Sequence, residues 1–125
     1  MTQKEVVDHW FASAEADART ANDLFTIKHY DWSLFLWHLV IEKVLKGIIS
    51  SHDETPPPIH DLRKLAVYAR IQATEKQKNQ FKEITSYNLE ARYDDYKRNF
   101  HKKATREYAL DWTKHCEELF LWLKT

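Results

Sequence analysis

Apolar residues between Asp31 and Ser50 recur with the period of an α-helix and cover an unusually wide arc of it. Wound as a helix, this segment has one uninterrupted apolar half, which carries Leu34, Leu36, Trp37, Val40, Ile41, Val44, Leu45, Gly47 and Ile48. A surface helix needs an apolar stripe only a little over about 100° wide to dock on a core. The segment is therefore predicted to be a central helix covered on two sides, and we expect a second copy of the chain to supply part of that cover.

Four further segments predict helices from apolar residues that recur every three or four positions. They are Val6 to Phe25, Ile59 to about Arg70, a segment that opens at Thr74 and carries Phe81 to Ala91, and Thr105 to Leu123. The residues from Asp94 to Lys103 lose this period.

The ends of these helices are marked by local signals. The polar stretch from Lys28 to Asp31 is too short for a crossover, so the first two helices should form an antiparallel hairpin. Consecutive prolines in the loop from Ser51 to Pro58 end the second helix, and Thr74 with Gln77 has the spacing of a capping box. We predict an all-α single domain over residues 1–125, an up-and-down four-helix bundle with an additional short helix, about five helices in all.

The amino-acid composition argues against several classes of function. The chain has one glycine, so it lacks the residues that phosphate loops, dinucleotide fingerprints and nucleophile elbows require. Nineteen Lys and Arg balance nineteen Asp and Glu, which leaves no overall field to attract nucleic acid or a membrane. A single cysteine and no apolar signal or membrane-spanning run favour a cytoplasmic protein.

Polar residues on the apolar helices are the first candidates for a site. Glu42 and Lys46 stand four positions apart in the central helix. They form either a solubilising surface pair or two charges held in a groove, where they would orient Arg92 or a ligand. Asn88 and Arg92 have the same spacing in the fourth helix, and a guanidinium there could grip a phosphate or carboxylate, or pair internally with Asp17 or Glu42.

A basic tract near the end of the chain is the second candidate. Lys97 to Arg106 contains six basic or histidine residues and no acidic one, with Tyr93, Tyr96 and Phe100 interleaved. Such a surface can stack bases and contact phosphates, although a charge run in a loop is more often simply solvated. No Glu-x-x-His or His-Glu-x-x-His occurs, so we expect no metal site and no cofactor, and Cys116 on an apolar arc is expected to be inert.

Four short segments in order along the chain resemble the HEPN domain family. They are Tyr30-Asp31-Trp32, the run from Val40 to Gly47 with its Glu-Lys-x-x-Lys pattern, His60-Asp61-Leu62 with Leu65, and Ala91-Arg92-Tyr93. The resemblance covers nearly the whole chain. It implies a dimeric all-helical bundle, often produced beside a small nucleotidyltransferase protein, whose members bind nucleotides or cleave RNA as toxins.

Ribonuclease members of the family carry an Arg followed, after a short spacer, by a His. Here the spacing from Arg98 to His101 is shorter than in that motif, and the spacing from Arg92 to His101 is longer. This incomplete motif favours a non-catalytic homodimer of a toxin–antitoxin or regulatory module. It would bind a nucleotide, an RNA phosphate or a nucleotidyltransferase partner in a groove lined by Glu42, Lys46, His60, Asn88, Arg92 and Tyr93. The alternatives are a metal-independent ribonuclease that uses Arg98 and His101, and a purely structural dimer.

Overall fold

The chain folds into six α-helices without a β-strand. A computed structural model describes all residues from Met1 to Thr125. The helices are α1 Gln3–Thr26, α2 Tyr30–Ser51, α3 Leu62–Tyr68, α4 Glu75–Arg92, α5 Asp94–Lys103 and α6 Arg106–Leu123. None of them is both long enough and apolar enough to cross a membrane.

The first two helices form the predicted antiparallel hairpin. Thr2 caps α1 by accepting a hydrogen bond from the Glu5 amide, and the chain reverses at Lys28, whose φ of 69° lies in the left-handed region. Two contacts join the helices along their length: Ser33 Oγ donates to the Ala21 carbonyl over 2.7 Å, and Lys43 Nζ lies 2.6 Å from Asp17 Oδ2. The short polar connection therefore folds as its length predicts.

The four long helices alternate in direction, so the predicted up-and-down bundle is confirmed. Asp31 and Trp32 at the start of α2 share a small cavity with Ala91 near the end of α4, which makes these helices antiparallel. Ile48 and Leu123, near the ends of α2 and α6, line another common cavity, so α6 runs in the direction of α2. The short helix α3 and the helix α5 complete the bundle.

The central helix α2 is covered by its own chain. It packs against all five other helices, and Trp37 and Ile41 are 1% and 0% exposed. Ile48 is half-buried against the same core. Cover on two sides is thus confirmed, but the expectation that a second copy must provide part of it is wrong, because α1 and α6 already do so. The homodimer itself stays a prediction.

The segment from Asp94 to Lys103 forms α5, a helix that the loss of apolar period did not predict. Phe100 is its only buried side chain, and its ring stacks on Tyr87 with centroids 5.4 Å apart. Lys103 Nζ lies 2.9 Å from Glu83 Oε2 and 5.4 Å from the centre of the Tyr108 ring. One buried aromatic side chain and a few ionic contacts, of Lys103 with Glu83 and Glu90 and of His101 with Asp31, hold this helix. The bundle therefore has six helices rather than about five.

Helix caps and the last helix agree with the sequence pattern. The Thr74 amide donates to Gln77 Oε1 and the Gln77 amide donates to Thr74 Oγ1, so the capping box is present. On α6, Phe120 packs edge-on against Trp37, and Cys116 is fully buried. Burial raises the pKa of the Cys116 thiol, which favours the uncharged form and the interpretation of this residue as a small hydrophobe.

Gly47 of α2 packs directly against two aromatic residues of α1. A Cβ atom at this position would lie 3.0 Å from Phe11 Cε2 and 3.2 Å from Trp10 Cβ. A side chain at this position would therefore require Phe11 and Trp10 to move by a few tenths of an ångström.

Gly47→Val should destabilise the bundle by about 1–3 kcal/mol, because its two γ-methyl groups would push Phe11 and Trp10 out of their packed positions. Urea unfolding followed by circular dichroism measures the change. The matched control is Ala12→Val at an exposed position of α1, which adds the same β-branched side chain to a helix without overpacking. If the two variants had the same urea midpoint, the close packing at Gly47 would not be the cause of the destabilisation.

Candidate functional site

A buried charge cluster lies between α2 and the loop that precedes α3. Its members are His38, Glu42 and Lys46 from α2 and His60 from the loop. Glu42 Oε1 accepts a hydrogen bond from His60 Nδ1 over 2.8 Å, and Glu42 Oε2 lies 3.3 Å from Lys46 Nζ. The side chains of Glu42 and Lys46 are 7% and 10% exposed. The choice left open by the sequence is thus decided against a solubilising surface pair.

Pairing is what allows these charges to be buried. Moving a carboxylate out of water costs several kcal/mol of folding free energy unless a cation and hydrogen bonds replace the solvent. Lys46 and His60 both contact Glu42, and the Lys46 ammonium also lies 5.9 Å from the centre of the Trp10 ring. The charge of Lys46 is therefore used within the protein, and this side chain is not free to bind an external phosphate.

His38 joins the cluster as a neutral imidazole. Its Nε2 lies 3.0 Å from the carbonyl oxygen of His60, so the hydrogen-bond pattern assigns the proton to Nε2, which donates. Its Nδ1 is buried without a partner. Burial lowers the pKa of His38 from its usual 6.5, and this effect outweighs the hydrogen bond to His60 and the attraction of Glu42, both of which raise the pKa. The cluster therefore fastens the His60 loop to α2 through two histidines.

The same loop also fixes α3 to α4. The Leu62 amide donates to Thr85 Oγ1 over 3.1 Å, two residues after His60. Thr85, Asn88 and Arg92 stand at i, i+3 and i+7 and so share one face of α4. The face that carries Asn88 and Arg92 is thus the side of α4 that meets the loop.

Arg92 lies at the solvent-exposed end of that face. Its Nη1 donates to Asn88 Oδ1 over 3.4 Å, and it forms no ion pair. The alternative of an internal pair with Asp17 or Glu42 is wrong, because Asp17 pairs with Lys43 and Glu42 with Lys46 and His60. The guanidinium is consequently available to an external anion.

Aromatic residues of α2 continue along the neighbouring surface. Trp32 is 43% exposed, and its ring packs edge-on against Phe35 with centroids 5.9 Å apart. At this end of α2 a cavity of about 80 Å³ is lined by Asp31, Trp32, Ala91, Lys97 and Phe100. We call the surface formed by Trp32, Phe35, Asn88, Arg92 and Lys97 the α2–α4 groove.

The six residues predicted to line one groove divide into two groups. Glu42 and Lys46 are buried in the charge cluster, whereas Arg92 and Tyr93 are exposed and Asn88 is half-buried on α4. His60 belongs to the charge cluster through its contact with Glu42, but its side chain is 49% exposed and borders the exposed residues of α4. The prediction missed Trp32 and Lys97, and the signal for Trp32 was its position three residues before Phe35, which puts both rings on one side of α2.

Arg98 and His101 lie on the outer surface of α5. They are three residues apart on one helix face, and both are exposed. His101 Nδ1 lies 3.2 Å from Asp31 Oδ2, and its side chain is 78% exposed. Neither residue contacts the buried charge cluster. No three His, Cys, Asp or Glu side chains are arranged to hold a metal ion.

The neutral, buried state of His38 should make the protein less stable in mild acid. Because the pKa of His38 is lower in the folded than in the unfolded chain, the unfolded chain binds more protons below pH 6.5. The free energy of unfolding should therefore fall as the pH drops through 6.5, with a slope of at most about 1.4 kcal/mol per pH unit from this residue. Urea unfolding at pH 7.5 and pH 5.5 measures this loss.

His38→Gln should reduce that loss, because glutamine can still donate to the His60 carbonyl but does not titrate. The matched control is His9→Gln at an exposed position of α1, which should keep the pH dependence of the wild type. If wild type and His38→Gln lost the same stability between the two pH values, the protonation of His38 would not be its cause.

Comparison with known proteins gives a consistent assignment. No curated protein matches the sequence significantly. The crystal structure of TT1696 from Thermus thermophilus has a similar fold, with a TM-score of 0.82 over 94% of this chain and 95% of that one, at 18% sequence identity. The HEPN domain model matches residues 7–125. The chain therefore belongs to the HEPN domain family, as its motifs indicated.

Proposed function

We propose that this HEPN protein binds the phosphate groups of a nucleotide or an RNA strand along the α2–α4 groove, without catalysing a reaction. The observation that supports the proposal is that Arg92 is exposed and unpaired. Its guanidinium is exposed, has no carboxylate partner, and lies between Asn88 and Tyr93 on the side of α4 that faces the His60 loop. A planar guanidinium in this state suits two parallel hydrogen bonds to phosphate oxygens.

The surroundings of Arg92 fit a phosphate ligand. The hydrogen bond to Asn88 is long at 3.4 Å, so it orients the guanidinium and costs little to exchange. Tyr93 is 57% exposed and offers a ring on which a base can stack. Lys97 adds a second cation, which holds only a surface contact to Asp94 at 3.4 Å. Positive charge for a phosphate and an aromatic ring for a base are thus exposed on the same surface.

The shape of the surface favours an extended ligand. The cavity of about 80 Å³ at the α5 end is far below the roughly 300 Å³ at which sites enclosing a whole small molecule begin. A bound strand would therefore lie along the groove with one phosphate at Arg92. In this proposal Glu42, Lys46 and His60 do not touch the ligand, but position the loop that borders it.

The proposal includes assembly. Trp32, Tyr93 and Tyr96 remain 43–57% exposed around the groove. Aromatic side chains of this kind are enriched where proteins contact one another. We propose that two copies associate through this end of the molecule, and that a small nucleotidyltransferase protein is the external partner, as the family resemblance implies. A dimer with no nucleotide ligand is the structural alternative.

Arg92→Gln should weaken RNA binding by about tenfold, because it removes one bidentate charged contact while glutamine keeps a hydrogen-bond donor. Fluorescence anisotropy with a labelled single-stranded RNA, repeated over a salt series, measures the affinity. On a plot of log affinity against log salt concentration, the magnitude of the slope should fall by about 0.7, which is the contribution of one phosphate contact to a single strand. Arg19→Gln, at an exposed position of α1, is the matched control and should change neither value.

Two outcomes would contradict this assignment. Equal affinities for the wild type and Arg92→Gln would place the phosphate elsewhere. If light scattering on the same samples showed a dimer while neither RNA nor a nucleotide bound, the structural alternative would replace the proposal.

A specific contact favours ribonuclease activity as the second candidate. Asp31 Oδ2 holds His101 Nδ1 at 3.2 Å and leaves Nε2 without a protein partner, while Arg98 lies on the same face of α5. A carboxylate that orients an imidazole is the arrangement used in general acid–base catalysis, and Arg98 would stabilise the charged phosphate.

If this second function is present, purified protein should cleave RNA in the presence of a metal chelator. His101→Ala should lower the rate at least about 100-fold, the lower end of general acid–base contributions, and Asp31→Asn should lower it less. Gel electrophoresis of labelled RNA measures the rate. His9→Ala, at an exposed position of α1, serves as the histidine control. Cleavage that persists in His101→Ala, or no cleavage by the wild type, removes this candidate.

A further inference from the structure

A second cavity lies at the opposite end of α4 from Arg92. It has a volume of about 440 Å³ and opens between α3 and the first turns of α4, where Lys78 and Phe81 line it. Lys78 precedes Arg92 by fourteen residues, which separates them by about 21 Å along the helix axis. The cavity is therefore distinct from the α2–α4 groove.

The inner part of this cavity is apolar. Phe81 and Ala66 form buried parts of the lining, and Ile71 and Ala73 contribute partly buried side chains from the segment between α3 and α4. Val67 lies at the edge and is 77% exposed, so nothing in the chain covers it. An apolar body of moderate size would bury these surfaces, since ligand cavities commonly measure roughly 300–1,000 Å³.

The rim of the cavity is positive. Arg63, Lys64 and Lys78 line it, and Asp61 is the only acidic residue among them. The Asp61 carboxylate is already engaged, because it accepts a hydrogen bond from the Lys64 amide as the cap of α3. Arg63 and the Lys64 ammonium form no ion pair, and Lys78 has only a long surface contact to Glu75 at 3.4 Å. A negative group at the rim would find three cations.

We propose that this cavity binds a small amphipathic anion, with its aromatic or branched apolar body against Phe81, Ile71 and Val67 and its acidic group at the rim. Charge complementarity selects the occupant, because the rim carries three cations against one acid. A neutral molecule of the same shape gains only the apolar contact. A cation of that shape is repelled by the rim.

The experiment compares three probes that share one ring system: naphthalene-1-carboxylate, the neutral naphthalene-1-carboxamide and the cation 1-naphthylmethylammonium. Each is titrated into ¹⁵N-labelled full-length protein while amide shifts are recorded. The carboxylate should move the amides of Val67, Ile71 and Phe81 in a saturable manner. The carboxamide should bind at least about tenfold more weakly and the cation more weakly still.

The charge requirement is tested with the double variant Arg63→Gln/Lys64→Gln. Both side chains are exposed, so the fold should persist, and the carboxylate should bind this variant no better than the carboxamide binds the wild type. Lys114→Gln, at an exposed position of α6, is the matched control and should bind the carboxylate as the wild type does. Arg92→Gln should also keep this affinity, which separates the cavity from the phosphate-binding proposal.

Three results would overturn the inference. They are shifts scattered over the surface rather than at the cavity, equal affinity for the carboxylate and the carboxamide, and unchanged carboxylate affinity in the double variant. The comparison of probes uses the wild-type chain alone, so it decides the point even if the double variant does not fold.

Discussion

The burial of the Glu42 carboxylate on the central helix is the constraint on which the site depends. Glu42 is 6% exposed on a helix whose other neighbours are mostly apolar, and an unpaired charge there would cost several kcal/mol. Lys46 supplies the countercharge from the next turn, and His60 completes the cluster from the loop before α3. Because His60 is tied to α2 and Leu62 to α4, this ion pair also determines where α3 crosses the bundle.

This constraint separates charges that hold the protein together from charges that can bind a ligand. Lys46 and Lys43 are paired with Glu42 and Asp17, so both positive charges are balanced within the protein. Arg92 has no such partner and projects from the exposed end of α4. The electrostatic balance of the whole chain thus conceals a local excess of unpaired positive charge at Arg92, on which the proposed phosphate binding rests.

Helix α4 carries both proposed ligand surfaces at its two ends. At its C-terminal end the surface is open and polar, with Arg92 and Tyr93 available to an extended phosphate chain. Near its start, Phe81 and Lys78 line an open cavity with an apolar inner part and a positive rim, which suits a compact anion. The short helix α3 forms one wall of the cavity, and its first residue, Leu62, is bonded to Thr85 in the middle of α4.

The sequence was enough to predict the features whose signals are local: the α1–α2 hairpin, the Thr74 capping box and the apolar arcs of α2 and α6. These depend on neighbours within one or two helical turns. It did not predict α5, because one buried aromatic residue in ten gives too weak a period, and the anchors of that helix, Tyr87 and Glu83, come from another helix. Nor could the width of the α2 arc reveal whether the chain or a second copy covers it. The folded structure was needed to show that Glu42 pairs with His60, eighteen residues away, and that Arg92 stays exposed, because partner choice depends on how separate helices and loops are placed in space.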